Sequence, residues 1–242
     1  LLGIGTITQV NGITSAVNNF FDPNNAHRVK SIPFLADYSW SVVIASLILT
    51  FCVAAVLIGG VKRIASVSQV IVPFMAILYI CTCLFIIFGN ISRLGSIIKL
   101  IISSAFNPRS FLTGFIVGTT KSIFSTEAGL GTGAIASSAS SSTNEVEQGL
   151  IQVFGIHFDT FVVSTLTIFV ILLSPYNILN LSNINGIEIT KYAFNYHLGT
   201  FGGLILTISI ILFAFSTIIG GYYYGEIALK FLIKDLNTKL FK

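Results

Sequence analysis

Residues 110–138 read SFLTGFIVGTTKSIFSTEAGLGTGAIASS, and the reading of this stretch decides the fold. An apolar segment runs from Phe111 to Phe124, meets Ser125, Thr126 and Glu127, and passes into Gly129, Gly131 and Gly133. Long uncharged segments lie on both sides. A charged, glycine-rich break inside membrane-like sequence is costly, because in lipid every free backbone N–H and C=O needs a partner. Such breaks persist where they are buried in protein or line a watery cavity. In secondary transporters they hold substrate and coupling ion near the bilayer midplane. The plainer alternative is a loop between two short helices, punctuated by glycine.

The composition places the whole chain in a bilayer. Of 242 residues, 54% are hydrophobic and 9% charged, with a mean hydropathy of +0.89. A soluble domain carries about 25% charged residues, so this chain has too few to solvate its own surface. Thirteen basic and nine acidic residues give a net charge of +4, spread too thinly to form a nucleic-acid-binding patch. Cys52, Cys81 and Cys83 lie in apolar runs and read as buried free thiols rather than a metal site or disulfide. The first residue is Leu1 and no charged leader precedes the first apolar run, so the chain reads as a piece of a longer protein or as one whose start was lost.

A spanning helix needs about 20 mostly apolar residues. Taken in order, the spans fall at about 1–21, 39–61, 64–91, 111–138 (broken near 125–131), 146–173 and 198–232. Between them, 22–37 and 174–195 read as polar loops, and Gly59-Gly60 with Lys62-Arg63 as a tight turn. Residues 91–106 place Ile91, Leu94, Ile97, Ile98, Ile101 and Ile102 at helical spacing, with Arg93 and Lys99 off the stripe. That pattern predicts an amphipathic helix lying in the membrane interface. Asn144 or Thr143 stands ready to cap the following helix, with Glu145 and Glu147 near its N-terminal dipole. Basic residues number six on each side, but Lys62, Arg63 and the final lysines cluster against span ends, so that side is read as cytoplasmic. The fold class is all-α, a multi-pass helix bundle in the cell (inner) membrane.

Phe124-Ser-Thr-Glu-Ala-Gly129 with Gly131 resembles the F-S-N-E-A-G-x-G signature of the alanine or glycine:cation symporter family. Thr126 replaces its Asn, and Lys121 stands where the family has Arg. The resemblance runs along nearly the whole chain. It takes in Gln9-Val-Asn11, Gly59-Gly60-Val-Lys62-Arg63-Ile64, Val72-Pro73-Phe74-Met75-Ala76 with Tyr79, and Asp159-Thr160, where His157 replaces a Phe. Phe213-Ala-Phe-Ser-Thr217 and Tyr223-Tyr-Gly-Glu226 continue it. It implies a partial LeuT-like inverted-repeat fold, the six spans standing for helices three to eight. It also implies sodium-coupled symport of a small neutral amino acid, alanine or glycine, with a proton as the other possible coupling ion. The alternative is a transport-inactive fragment with a structural or interaction role.

The same resemblance assigns Gln9, Asn11, Phe124 and Gly129 to the substrate pocket and Ser216 with Thr217 to sodium. Each has a plainer reading. Gln9 and Asn11 serve equally as polar glue between helices, and mid-helix Ser or Thr usually bonds back to the i−4 carbonyl. Glu127 is a carboxylate at membrane depth, a functional candidate by default. A buried charge must be paired, which favours a structural role with Gly131, Glu127 accepting N–H bonds at the break. Asp159 reads as structural and His157 as a satisfied core histidine. No nucleophile–base pair, phosphate loop or metal-ligand cluster is present in the sequence, so the chain is not read as an enzyme.

Overall fold

The computed structural model describes residues 4–22, 26–29, 38–127, 129–140, 144–175 and 186–233. All the regular structure among them is helical: α1 (Ile4–Phe21), α2 (Trp40–Ile58), α3 (Gly60–Gly89), α4 (Ile91–Ala105), α5 (Pro108–Thr126), α6 (Thr132–Ser137), α7 (Glu145–His157), a π-helical segment (Phe158–Ser164), α8 (Thr165–Leu173) and α9 (Gly186–Leu232). Among the described residues, four helical stretches are long and apolar enough to cross a membrane: Trp40–Ile58, Gly60–Gly89, Glu145–Leu173 and Gly186–Leu232. A fifth arises if α4 and α5, bent by 92° at Asn107, count as one span. The described part of α1 falls short of that measure, because Gln9, Asn11, Asn18 and Asn19 interrupt its apolar run. The chain is a multi-pass integral membrane protein.

It folds as two compact units, residues 1–82 with 178–242 and residues 83–177. In the first, α1 packs along α9 and against α2. Ile13 and Val17 of α1 meet Ala214 and Ile218 of α9, each pair one turn apart, with Ala45, Leu49 and Val53 of α2 closing the cluster. The segment after α1 is tied down. Ala26 N and His27 N donate to the two Asp22 carboxylate oxygens at 2.8 and 3.0 Å. Val29 N donates to Tyr38 O and Trp40 N to His27 O, both at 3.0 Å, and Ser39 Oγ donates to Asn18 Oδ1 at 2.7 Å. Burial pushes the Asp22 carboxyl upward, but the His27 and Ala26 N–H groups and the His27 ring outweigh it and hold it below the usual carboxylate range.

The polar loop expected over 174–195 is helical from Gly186 onward. Its inner face explains why: Ala193 and Phe194 are fully buried, and Phe194 stacks on Tyr79 with ring centroids 5.8 Å apart. α9 then turns sharply at Gly199, whose φ of 61° and ψ of −153° suit glycine alone. The turn lays the Phe194 carbonyl against Gly202, where an added Cβ would sit 2.3 Å from the oxygen.

In the second unit, Asn107 caps α5, its side chain accepting from Arg109 N and Ser110 N at 3.1 and 3.4 Å, with Pro108 in the first turn. None of α5 is buried, and Phe111, Leu112, Phe115, Ile116 and Val117 are exposed, as suits a surface bathed in lipid. Asn144 caps α7 in the same way, accepting from Val146 N and Glu147 N. From α7 the side chains Gln148 and Gln152, one turn apart, reach the α6 region and hydrogen-bond Ser140 and Ser137. The three cysteines are free. Only Cys83 is buried; Cys52 and Cys81, expected to be buried, are exposed, and an apolar thiol is at home on a lipid-facing surface.

Candidate functional site

The break is built by backbone conformation. α5 stops at Thr126, and Glu127 takes a left-handed φ of 53°, the one positive-φ non-glycine among the described residues. Gly129 and Gly131 follow at φ 80° and 83°. Three left-handed residues within five positions cannot continue a right-handed helix. One turn bond, Leu130 N to Glu127 O at 3.1 Å, closes the corner before α6 starts. Glu127 thus forms the corner of the break through its main-chain conformation. Its carboxylate bonds no described residue, and Lys121 forms no ion pair with it. Among the described residues, none of the expected N–H bonds to that carboxylate is made. α6 spans only six residues, which leaves little dipole to attract an anion.

The break reaches a second element that sequence reasoning missed. Ser125 Oγ donates to Asp159 Oδ2 at 3.2 Å, across 34 residues. Asp159 stands in the π-helical segment, where the widened turn departs from the usual side-chain register; such segments recur at functional sites. The readable signal was an acid in the otherwise apolar run after Phe158. Thr132 Oγ1, at the start of α6, is buried with no hydrogen-bond partner among the described residues. His157 is exposed rather than in a core; its Nδ1 lies 2.8 Å from Val153 O and its ring stacks on Phe161. Phe124 is 46% exposed beside the break.

The first unit holds the other four expected residues. Gln9 is half-buried and Asn11 exposed on α1, and neither side-chain amide bonds a described residue. Ser216 Oγ and Thr217 Oγ1 both donate to Phe213 O, at 2.8 and 3.0 Å. With the protons turned inward on that carbonyl, the hydroxyl lone pairs remain as hard oxygen donors, the chemistry a sodium ion takes. The back-bonded reading and the ion-binding reading are thus compatible at these positions. Gln9, Asn11, Ser216 and Thr217 belong to one unit; Phe124, Glu127, Gly129 and Gly131 belong to the other.

A groove of 880 Å³ in the first unit is lined by Ile13, Val17, Ile44, Leu49, Ile211 and Phe215 among others, and by none of the expected site residues. Its wall is nearly all carbon, so acyl chains rather than a zwitterion match it. Among the described residues no three His, Cys, Asp or Glu side chains gather to hold a metal.

The profile of the sodium:alanine symporter family matches residues 1–242. The chain belongs to the sodium:alanine symporter family. This is a family of transporters, not of enzymes. An uncharacterized transporter of Haemophilus influenzae is 40% identical over 250 residues, covering 99% of this chain and 51% of its own length. The sodium/alanine symporter AgcS of Methanococcus maripaludis is 34% identical over 251 residues, 99% of this chain and 50% of its own. YrbD of Bacillus subtilis, named a putative sodium/proton-dependent alanine carrier, is 38% identical over 200 residues, 76% of this chain and 41% of its own. The chain spans about half the length of these symporter-family relatives.

Proposed function

We propose that this chain forms part of a sodium-coupled symporter for a small neutral amino acid, alanine or glycine, with a LeuT-like arrangement of its helices. The observation that carries the reading is the break at Glu127–Gly131 in an apolar helix, tied by Ser125 to the Asp159 carboxylate. A zwitterionic substrate brings an ammonium and a carboxylate to membrane depth, and both must be met by protein groups. Open backbone at the break, the buried Thr132 hydroxyl and the Asp159 carboxylate are groups of that kind. Phe124 and Gly129 supply a small apolar wall. Such a wall discriminates weakly, one methylene being worth about 1–3 kcal/mol.

Sodium is assigned to Ser216 and Thr217, whose hydroxyl oxygens keep free lone pairs. Coupling then follows from linkage: if sodium and amino acid stabilise the same helix arrangement, each raises the other's affinity by one factor. A proton is the alternative coupling ion, as the name of the Bacillus subtilis relative says of that protein. The test is alanine uptake into proteoliposomes under a sodium gradient, with Ser216→Ala and Thr217→Ala. Loss of two ligands at about 1 kcal/mol each raises the half-saturating sodium concentration by roughly tenfold or more. Undiminished sodium dependence in the double variant overturns the assignment.

A further inference from the structure

Tyr223-Tyr-Gly-Glu226 belongs to the sequence resemblance, yet the symport site above makes no use of it. The structure gives its glutamate an unusual setting. Tyr222, Glu226 and Lys230 follow one another at four-residue intervals and so share a face of α9. Glu226 is buried, its side chain only 6% exposed, while that of Lys230 is 43% exposed. Glu226 Oε1 accepts from Lys230 Nζ at 2.7 Å. The other oxygen, Oε2, is buried with no hydrogen-bond partner among the described residues, and so is the Tyr222 hydroxyl one turn earlier.

A half-satisfied carboxylate among apolar groups is expensive. The two members of the ion pair are not equally dependent on it. Lys230 reaches water along its own stem and stays solvated without a counter-charge, whereas Glu226 has no such outlet. A proton on Oε2 removes the buried charge and turns that oxygen into a donor, with the phenol oxygen of Tyr222 as an acceptor on the same face. Among the elements packed against α9, α1 carries no charged or titratable side chain and α2 carries only Cys52; α3 brings Lys62, Arg63, Tyr79, Cys81 and Cys83. On α1, the uncharged Thr6 places its Oγ1 3.7 Å from the position a Gly221 Cβ would take. No second carboxylate is present on α1, α2 or α3 to share the proton.

We propose that Glu226 and Tyr222 form a proton-binding site, in which Glu226 Oε2 takes up H⁺ from the aqueous edge marked by Lys230. One O–H bond forms, the proton comes from bulk water, and no electrons move. The site rests on the symport reading and names the residue through which pH acts on transport.

The test is a pH titration of the purified protein in lipid, followed by infrared difference spectroscopy, beside alanine uptake at stepped pH and a fixed sodium gradient. A carboxylic-acid C=O band of a desolvated group should grow as pH falls and vanish in Glu226→Gln. It should change frequency in Tyr222→Phe, which keeps the ring and loses the hydroxyl; that variant decides the matter if Glu226→Gln does not fold. Uptake by Glu226→Gln should lose its pH dependence. A band that never appears, that survives Glu226→Gln, or that is replaced by a sodium-sensitive carboxylate band overturns the proton site. The two readings separate cleanly. Sodium-driven uptake without the band leaves symport standing and removes the proton site; the band without uptake does the reverse.

Discussion

Gly202→Ala tests the turn that shapes α9. The added Cβ would stand 2.3 Å from Phe194 O, 2.8 Å from Phe194 C and 2.8 Å from Leu198 Cβ. An ordinary contact is about 3.4 Å or more, so backbone must retreat by roughly 1 Å. The obstacle is main chain, and Phe194 is itself pinned, fully buried and stacked on Tyr79. Overpacking of this kind costs about 1–3 kcal/mol. For a chain of this size that lowers the melting midpoint by roughly 2–4 °C per kcal/mol. Gly203→Ala is the control. Its Cβ would meet Asn195 Oδ1 at 2.3 Å, but that atom is the end of a side chain and swings away. The assay is thermal loss of the monodisperse peak in detergent, measured for both variants. Gly203→Ala should melt within about 1 °C of the parent and Gly202→Ala several degrees lower. Equal melting of the two, or the reverse order, refutes the close approach at Phe194.

Other consequences follow from single contacts. Removing the Phe194 ring with Phe194→Ala should cost about 3–5 kcal/mol, a larger loss than Gly202→Ala, read in the same melts. Ser125→Ala and Asp159→Asn should fail to add in a double-mutant cycle of stability, with a coupling of about 1 kcal/mol for one partly exposed bond to a carboxylate; additivity removes the tie between the break and the π segment. The Asp22 carboxyl is held below its usual range, so its contribution is present above the unfolded-state value and is lost as pH falls through the lower folded value. Protection of the Ala26 and His27 amides, measured against intrinsic exchange, should therefore fall on acidification through that window, and unchanged protection in the parent disproves the cap. Asn107→Ala should cost about 1 kcal/mol by uncapping α5, with Asn107→Asp neutral by comparison.

The legible part of this protein was local. Membrane residence follows from 9% charge, and the helix start at Asn144 was readable because a cap lies within three residues of the groups it satisfies. The break was readable because Glu127 and the glycines that follow stand together in an apolar run. Its role for Glu127 was less so, since main chain and carboxylate offer the same residue two structural parts. Residues 186–195 looked like loop because Asn, Lys and Glu mask an inner face whose value depends on Tyr79, more than a hundred positions away.

Sequence alone thus determined that the chain is helical, lies in a membrane, breaks one helix at Glu127–Gly131 and belongs among the alanine or glycine symporters in pattern. Those properties are sums over neighbouring residues: hydropathy, left-handed propensity, caps. Tertiary structure decided that Ser125 meets Asp159, that Phe194 leaves no room for a Cβ at Gly202, and that Glu226 keeps one carboxylate oxygen buried and unpartnered. Each of these is set by which surfaces pack, and packing joins residues that the linear order keeps apart.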